Sequence, residues 1–425
     1  MQFGLKMNLG RIIFPSQTYT YMRTFSFSSS LMIVLLVVCF SDLSAQPGGL
    51  TADKKILKQL PAEFKDAAAQ YKVMMKELPA DKFPKNFDPV KQHFETSNGS
   101  WWCSGFYPGS LLFLYEQTKD EMLLTEARRI LKVLEEQQFN TSTHDLGFMM
   151  YCSFGNLQRL FPSEATKEIL LKSAASLSTR FNPAVGCIKS WNSKDSSDFL
   201  VIIDNMMNLE LLFYATKVSG DSSFYKIAVT HANTTMKNHF RDDNSSYHVI
   251  NYDKNTGAVK QMKTAQGYAD ASAWARGQAW GLYGYTSTYR ETKDARYLRL
   301  AEKIADYILQ HPNLPADGIP YWDFNAPDIP VAPRDASAGA IIASALLELY
   351  RYTDKEHAKK YYAAAEKIIR SLSSPAYKAI PGTNGGFLLM HSVGHLPAKS
   401  EVNVGISYAD YYYIEALKRY KDAAK

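Results

Sequence analysis

A helical hairpin recurs along this chain, and this repeat constrains the fold more than any other feature of the sequence. Each copy has the apolar end of one helix, a turn with Thr, Lys or Asp, and a second helix with Ala near its centre. In three copies the turn Asp precedes that Ala by seven residues, as from Asp120 to Ala127. Such a repeat predicts helical pairs that pack against their neighbours. The clear copies span 112–136, 211–237, 285–310 and 346–370, and weaker copies span 154–181 and 408–424.

The two helices of a copy differ in their apolar pattern. The second helices carry apolar residues at i, i+3, i+4 and i+7, which is typical of an amphipathic helix with one buried face. The first helices are apolar on nearly all sides, as in 209–214, so we expect them to be buried. An open solenoid would also satisfy the repeat, but the long Trp- and Gly-rich segments between hairpins favour a closed ring with loops around one mouth. We therefore predict that residues 46–425 form a single all-α toroid of about a dozen helices.

The first 45 residues have the features of a secretory signal peptide. Basic residues precede an apolar run from Leu31 to Phe40, and Leu43-Ser44-Ala45 resembles a cleavage site before Gln46. The run is shorter than the about 20 apolar residues that span a bilayer, so we expect no stable membrane insertion. We predict that residues 1–45 are removed and that the mature protein is periplasmic.

Composition excludes two other classes of protein. With 46% hydrophobic and 13% aromatic residues, the chain is too apolar to be disordered. The net charge is +6, but the basic residues form no cluster in the sequence, which argues against a nucleic-acid partner.

The three cysteines after residue 45, Cys103, Cys152 and Cys187, include no C-x-x-C pair, so we expect small buried side chains rather than disulfides or a zinc site.

Two aspartates are candidates for acid–base chemistry. Asp204 has apolar residues on both sides in 201–209, so its carboxyl group should be desolvated and its pKa raised toward neutrality. The alternative for Asp204 is a structural N-cap at the start of the following helix. Asp145 follows a polar turn and precedes an apolar run, and it could likewise be a cap or turn residue.

The segment 266–281, QGYADASAWARGQAWG, concentrates polar and aromatic residues of the types that line binding sites. If the segment is helical, Arg276 and Trp280 are four residues apart and share a face. An Arg suits a carboxylate through a bidentate bond, and a Trp offers a flat surface to a sugar ring. The alternative is a core Trp and a structural salt bridge from Arg276 to some Asp.

The histidines give weaker signals. His248 stands in a strand-like or loop segment, and an isolated His is more often structural than catalytic. His391 and His395 have a spacing that could bind metal on a helix, but the nearby glycines make a loop more plausible and no Glu completes a hydrolytic motif. We therefore predict neither a metal nor another cofactor.

Five segments together resemble the unsaturated glucuronyl hydrolases, glycoside hydrolase family 88. The resemblance covers nearly all of 50–425, and the block from Gln266 is its most specific part. The segments are WCSGFYPG (102–109), HDLGF (144–148), IIDNMMNLELLF (202–213), QGYADASAWARGQAWGLYG (266–284) and SYADYYYIEAL (407–417).

The resemblance implies an (α/α)6 barrel and a hydrolase for oligosaccharides that polysaccharide lyases produce. Such an enzyme hydrates the C4=C5 double bond of the 4,5-unsaturated uronic acid at the non-reducing end, and the resulting hemiketal opens and releases that sugar. By motif, Asp204 corresponds to the general acid and base, and Asp145 to a second essential carboxylate. The residues expected to bind the unsaturated uronate or to form aromatic walls are Trp102, Trp191, His248, Gln266, Arg276 and Trp280.

Two other functions stay open at this point. The chain could be another α/α-barrel enzyme, such as an unsaturated rhamnogalacturonyl hydrolase or a polysaccharide lyase, or it could be a glycan-binding protein without activity. The source polysaccharide and its sulfation also stay open, although Ser392 and Lys399 in the loop 381–400 could face the second sugar. The sequence does not indicate an oligomeric state.

Overall fold

Short polar turns join the helices into pairs, and the turn aspartates begin the second helix of a pair. The computed structural model describes residues 50–425. In it, the side chains of Asp120, Asp221 and Asp294 are N-caps that accept backbone N–H bonds from the first turn of an outer helix. The alanines seven residues later, Ala127, Ala228 and Ala301, are fully buried. The repeat therefore marks where each outer helix begins and where it packs.

The outer helices alternate with inner helices along the chain. The outer helices are α1 (Lys54–Glu77), α3 (Glu121–Leu134), α5 (Glu164–Ser178), α7 (Ser222–Asn238), α9 (Ala295–Gln310) and α11 (Lys355–Leu372). The inner helices are α2 (Phe106–Thr118), α4 (Asn156–Leu160) with the π-helix Gly147–Gly155 before it, α6 (Leu209–Ser219), α8 (Ala275–Thr292), α10 (Ala336–Leu349) and α12 (Ser407–Ala423).

The inner helices close into a ring. Each inner helix packs against the next, in the order α2, the π-helix, α6, α8, α10 and α12, and α12 returns to α2. Every residue of α10 is buried, whereas the outer helices bury one face. The predicted (α/α)6 barrel is confirmed. One detail differs from the prediction. The segment 408–424 is not a hairpin copy, because 408–423 belong to the single inner helix α12 and residue 424 is its C-cap.

Within residues 50–425, nine strands in the connections between helices depart from the purely helical expectation. All of the strand pairs are antiparallel. One sheet has the order β2-β1-β9-β8, another the order β5-β6-β7, and β3 pairs with β4. The strands are β1 (Phe83–Asp88), β2 (His93–Ser97), β3 (Phe181–Asn182), β4 (Cys187–Ile188), β5 (Asp198–Ile202), β6 (Val249–Asp253), β7 (Val259–Lys263), β8 (Ser392–His395) and β9 (Ser400–Ile406).

The described residues belong to one compact unit. The predicted signal peptide, residues 1–45, lies outside the described residues. Within 50–425 no helix is both long and apolar enough to cross a bilayer. Cys103 and Cys187 are buried, as expected, Cys152 is half-buried, and all three are free thiols.

Candidate active site

The predicted site residues gather at one end of the barrel. Because an outer helix returns the chain after each inner helix, all the inner helices run in the same direction. Trp102, Asp145 and Asp204 lie just before inner segments, and Arg276 lies in the first turn of α8. The free N–H groups and the dipoles at helix N-termini favour anions. This mouth therefore suits a negatively charged ligand.

Asp204 is a buried carboxyl group without a capping role. It lies in the 3₁₀ helix Ile203–Asn208, it is 9% exposed, and the N-cap residue of α6 is Asn208. Its Oδ2 atom has no hydrogen-bond partner among residues 50–425. Burial raises the pKa of Asp204 to about 7, the charge of Arg276 opposes this rise, and the charge of Asp145 adds to it. The N-cap alternative is therefore wrong, and the expected desolvation of Asp204 is confirmed.

His248 is brought to Asp204 by the pairing of β5 with β6. Ile202 pairs with Val249, and the N–H of Ile203 donates to the carbonyl of His248 over 3.0 Å. The His248 Nδ1 atom accepts from the N–H groups of Ala265 and Gln266, each at 3.1 Å. A neutral ring with an accepting Nδ1 carries its proton on Nε2. That Nε2 faces Asp204 Oδ2 at 3.7 Å.

The His248 ring stays neutral near pH 7. Burial lowers the pKa of His248 well below its usual value, and the charge of Arg276 lowers it further. The ring lies 4.4 Å from that of Trp274, between centroids, and is edge-on to Trp191 at 5.6 Å. His248 therefore presents a fixed N–H donor rather than a charge to Asp204.

A glycine holds the Asp145 segment against the Asp204 helix. A Cβ atom on Gly147 would lie 2.3 Å from the Cα atom of Asn208, so only glycine allows this approach. The N–H of Phe148 donates to Asn208 Oδ1 over 3.0 Å. Asp145 Oδ2 accepts from the Thr143 hydroxyl at 3.1 Å, and Asp145 Oδ1 lies 3.2 Å from His144 Nε2. Asp145 is thus a second carboxylate close enough to affect the pKa of Asp204.

Arg276 is 1% exposed and is held by the chain on one side. Its Nη1 donates to Asp335 Oδ2 at 3.1 Å and also to the carbonyl of Val393, and its Nη2 donates to the carbonyl of Gly394 at 2.6 Å. Arg276 therefore does form a salt bridge with an aspartate, as the structural alternative expected. A guanidinium has five N–H groups. The Nε–H and one Nη2–H have no acceptor in the described part of the chain.

Gln266, Trp191 and Trp102 also lie at this mouth, and each is half-buried. The Gln266 amide nitrogen is 3.5 Å from the carbonyl of Gly394, and its backbone N–H orients His248. Trp191 stands edge-on to His248. Trp102 packs against Phe106, Phe148 and Tyr408. The structure thus brings these three residues together with Arg276 and the two aspartates.

The expectation of an aromatic wall at Trp280 needs correction. The Trp280 side chain is fully buried between Phe148 and Tyr412, with ring centroids 5.0 and 5.4 Å away. It therefore offers no open face to a sugar. Its indole N–H makes no hydrogen bond of standard geometry within residues 50–425, yet it lies close enough to the Asp204 carboxyl group to lower the pKa of Asp204. Trp280 is therefore part of the buried surroundings of Asp204 rather than a binding surface.

Three residues of this mouth were not among the predicted site residues. Trp274 lies under the Arg276 guanidinium at 4.5 Å and beside His248. Tyr408 lies on another side of the same guanidinium at 5.3 Å. Asp335 forms the ion pair with Arg276. Trp274 falls within the segment 266–281 that the sequence pattern indicated, but no motif marks Asp335.

The histidines considered for metal binding have other partners. His391 Nδ1 is 2.6 Å from Asn403 Oδ1, and His395 Nε2 is 2.9 Å from the carbonyl of Ala265. His395 ends β8 and His391 precedes it, so the helical spacing does not apply. Across residues 50–425, no three His, Cys, Asp or Glu side chains converge as metal ligands.

A separate cavity of about 540 Å³ lies farther along the barrel. Its lining includes Tyr151, Glu210, Tyr283 and Tyr412, and neither catalytic candidate lines it. Tyr412, which lines this cavity, also packs against Trp280. The two aspartates, the neutral histidine and the guanidinium lie instead at the mouth formed by the N-termini of the inner helices.

Comparison with known proteins identifies the family. A relative from Formosa agariphila, named unsaturated glucuronyl hydrolase, is 48% identical over 342 residues, which are 80% of this chain and 85% of that protein. An unsaturated chondroitin disaccharide hydrolase from Streptococcus pneumoniae is 34% identical over 346 residues, covering 80% of this chain and 86% of that one. No family model matches the chain.

A solved structure agrees with these relatives. The crystal structure of an unsaturated glucuronyl hydrolase specific for heparin superimposes with a TM-score of 0.83 and 46% identity, covering 86% of this chain and 97% of that chain. The chain therefore belongs to the unsaturated glucuronyl hydrolases of glycoside hydrolase family 88, and it is a glycoside hydrolase that acts on glycans ending in an unsaturated uronic acid.

Proposed function

We propose that Asp204 catalyses hydration of the C4=C5 double bond of the terminal unsaturated uronic acid, first as general acid and then as general base. The observation that carries this assignment is a buried carboxyl group with a pKa of about 7 and an unpartnered Oδ2. An acid–base residue works best when its pKa lies near the working pH.

The proposed steps balance in atoms and charge. Protonated Asp204 gives its proton to C4, which leaves oxocarbenium character at C5 and the ring oxygen. Water adds to C5 and loses a proton to the Asp204 carboxylate, which restores the acid. The C5 hemiketal opens to a ketone, and C1, now a hemiacetal, expels the remaining sugar. Since no glycosidic carbon is attacked, the carboxylate spacing rules of ordinary glycosidases do not apply.

Asp145 supports this chemistry through its charge. A carboxylate beside Asp204 disfavours ionisation of Asp204, which keeps the acid protonated at higher pH. The same negative charge stabilises the cationic character that develops at C5. Thr143 fixes the position of Asp145, since its hydroxyl donates to the carboxylate at 3.1 Å.

We assign the recognition of the uronate carboxylate to Arg276. The three bonds that hold the guanidinium use Nη1 and one Nη2–H, so Nε and the other Nη2–H remain for a bidentate bond. The inner-helix N-termini add a favourable potential for an anion. His248 Nε2 and Gln266 supply donors for sugar oxygens, and Trp102 and Trp191 supply partly exposed rings.

Heparin-derived unsaturated disaccharides are the substrates that we propose first. The support is that the heparin-specific enzyme shares 46% identity with this chain, against 34% for the chondroitin disaccharide hydrolase. The test is loss of unsaturated-uronide absorbance on a panel of sulfated and unsulfated disaccharides. We expect heparin-type compounds to lose absorbance fastest. Faster turnover of chondroitin-type compounds would contradict this preference.

The same assay separates the other functions. A polysaccharide lyase would create absorbance from intact polymer, and a binding protein would bind the panel without turnover. Loss of the unsaturated-uronide absorbance of a disaccharide on incubation with the purified protein would support hydration of the double bond.

We also propose that residues 1–45 direct export and are removed before Gln46. The support is the basic flank, the short apolar run and the Leu43-Ser44-Ala45 sequence. N-terminal sequencing of exported protein should give a start near Gln46, and a start at Met1 or Met22 would contradict the proposal.

A further inference from the structure

We propose that Asp335 is a positioning residue that fixes Arg276 so that the free edge of its guanidinium meets the substrate carboxylate. This inference rests on the proposed role of Arg276. Asp335 is 59 residues from Arg276 in the chain, at the N-cap of α10, whereas Arg276 lies in the first turn of α8. The ion pair therefore joins the catalytic ends of two neighbouring inner helices.

The two carboxylate oxygens of Asp335 have different partners. Oδ2 accepts from Arg276 Nη1 at 3.1 Å. Oδ1 accepts from the N–H of Ser337 at 3.1 Å, from the Ser337 hydroxyl at 2.5 Å and from the N–H of Val393 at 3.3 Å. Asp335 is fully buried. The bonds to Oδ1 fix the carboxylate to α10 and β8, so Oδ2 is held at one place for Arg276.

Asp335 also fixes the carbonyl groups that hold Arg276. Its bond to the Val393 N–H anchors the strand whose Val393 and Gly394 carbonyls accept from the guanidinium. Trp274 and Tyr408 lie on the guanidinium at 4.5 and 5.3 Å. The flat group is therefore set in position by hydrogen bonds to two of its nitrogens and by rings over it, and Nε has no acceptor within residues 50–425.

A carboxylate at this place has a role that carbonyl groups alone do not fill. A buried guanidinium loses its hydration, and one hydrogen-bonded carboxylate offsets that cost. Asp335 is the one carboxylate within hydrogen-bond distance of Arg276 in the region 50–425. Asp204, Glu401 and Tyr408 act on the guanidinium through their charges or potential charges without such a bond.

The alternative is that Asp335 serves only as the N-cap of α10. Asp335→Asn tests this alternative, because Asn is as good a cap as Asp when its Oδ1 faces Ser337, whereas its amide nitrogen cannot accept from Arg276. Both oxygens of Asp335 accept hydrogen bonds. In either orientation of the Asn side chain, its amide NH2 group therefore faces another donor and loses a bond. If it faces Arg276, the guanidinium is displaced. Asp335→Ser keeps a capping hydroxyl and removes the second oxygen altogether, which gives a second variant with the same expected effect.

The experiment measures KM, kcat and Tm of both variants on an unsaturated disaccharide. A matched control is Asp354→Asn, since Asp354 caps α11 in the same way and lies away from the site. We expect KM to rise about tenfold with kcat little changed, because a carboxylate contact is made in the ground state and in the transition state alike. The control should keep the wild-type KM. Unchanged KM in both Asp335 variants, or failure of both to fold, would overturn the inference.

A double-mutant cycle with Arg276→Lys tests whether Asp335 acts through Arg276. Lys lacks the planar fork, so Arg276→Lys alone should raise KM. Adding Asp335→Asn should then raise KM little further. Additive effects would show that Asp335 acts independently and would overturn the inference. Wild-type kinetics in Arg276→Lys alone would instead refute the proposed role of Arg276, so the two failures are distinguishable.

Discussion

The Nε2 atom of His248 faces the Oδ2 atom of Asp204 at 3.7 Å, and neither atom has a hydrogen-bond partner within residues 50–425. Two backbone N–H groups bind the other ring nitrogen, so the orientation of His248 is set by the chain and not by Asp204. Asp204 thus has a pKa of about 7 and an Oδ2 atom without a hydrogen-bond partner in this region, so its proton is available for transfer to a carbon.

We expect kcat to fall as the pH rises through about 7. The raised pKa of Asp204 means that its carboxyl group is protonated below about pH 7 and ionised above, and the first step needs the protonated form. Asp145→Asn removes a neighbouring negative charge, so it should lower the pKa of Asp204 and shift the fall to lower pH in whatever activity remains. A kcat that stays constant to pH 9 in the wild type would contradict the assignment.

The stability of the protein should depend on pH in the opposite sense to that of a salt-bridged carboxylate. The folded-state pKa of Asp204, about 7, exceeds its usual 3.8, so the folded chain holds this proton more tightly than the unfolded chain. The contribution of this proton to the free energy of unfolding is complete below about pH 4 and is lost as the pH rises through about 7. Asp410, with a pKa raised by burial to about 8, acts in the same direction.

The Tm of Asp204→Asn minus the Tm of the wild type should therefore increase as the pH is raised from 5 to 8. Asn cannot ionise, and Asp410 is present in both proteins, so the difference isolates Asp204. Melting curves at several pH values measure the effect. Parallel dependence of Tm on pH in the two proteins would mean that Asp204 is not buried with a raised pKa.

Gly147→Ala should lower both activity and stability. The new Cβ would lie 2.3 Å from Asn208 Cα, and relief of such overlap typically costs about 1–3 kcal/mol and would move Asp145 from Asp204. Gly281→Ala is the control, because its Cβ would meet the Phe240 ring at 3.4 Å, an ordinary contact, within α8. Equal tolerance of both substitutions would show that the close approach at Gly147 does not position Asp145.

Activity should survive prolonged treatment with a chelator. His391 and His395 bind Asn403 and a backbone carbonyl, and no set of ligands with suitable number and spacing converges in the described region. The measurement is turnover before and after chelation and dialysis. Loss of activity that one divalent ion restores would contradict the prediction.

The sequence predicted the barrel because its signals are local. An Asp cap and an Ala seven residues later specify where an outer helix begins and packs, and the same pattern recurs. The strands were not predicted because they are short and are stabilised by partners far away, as in the pairing of Ile202 with Val249. The burial of Asp204 was also predicted from a local signal, the apolar residues on both sides of it in the sequence.

The limits of the site prediction also have physical causes. The spacing of Arg276 and Trp280 predicted a shared helix face, but Phe148 and Tyr412, from other inner segments, decide that Trp280 is covered. The partner of Arg276 could not be named, because Asp335 reaches it only when α8 and α10 pack side by side. Contacts between distant segments leave no pattern in a single sequence.

The most direct test of the account is the turnover of Asp204→Asn, measured as decay of unsaturated-uronide absorbance beside a melting curve. Asn is nearly the same shape and Asp204 caps no helix, so the variant should fold and still bind substrate. It cannot donate or accept the proton, and loss of an acid–base group typically lowers the rate by about 10²–10⁴. We expect a protein that melts normally and loses at least this much activity. A normally melting Asp204→Asn that turns over near the wild-type rate would contradict this expectation and would make Asp145 the leading candidate for the acid.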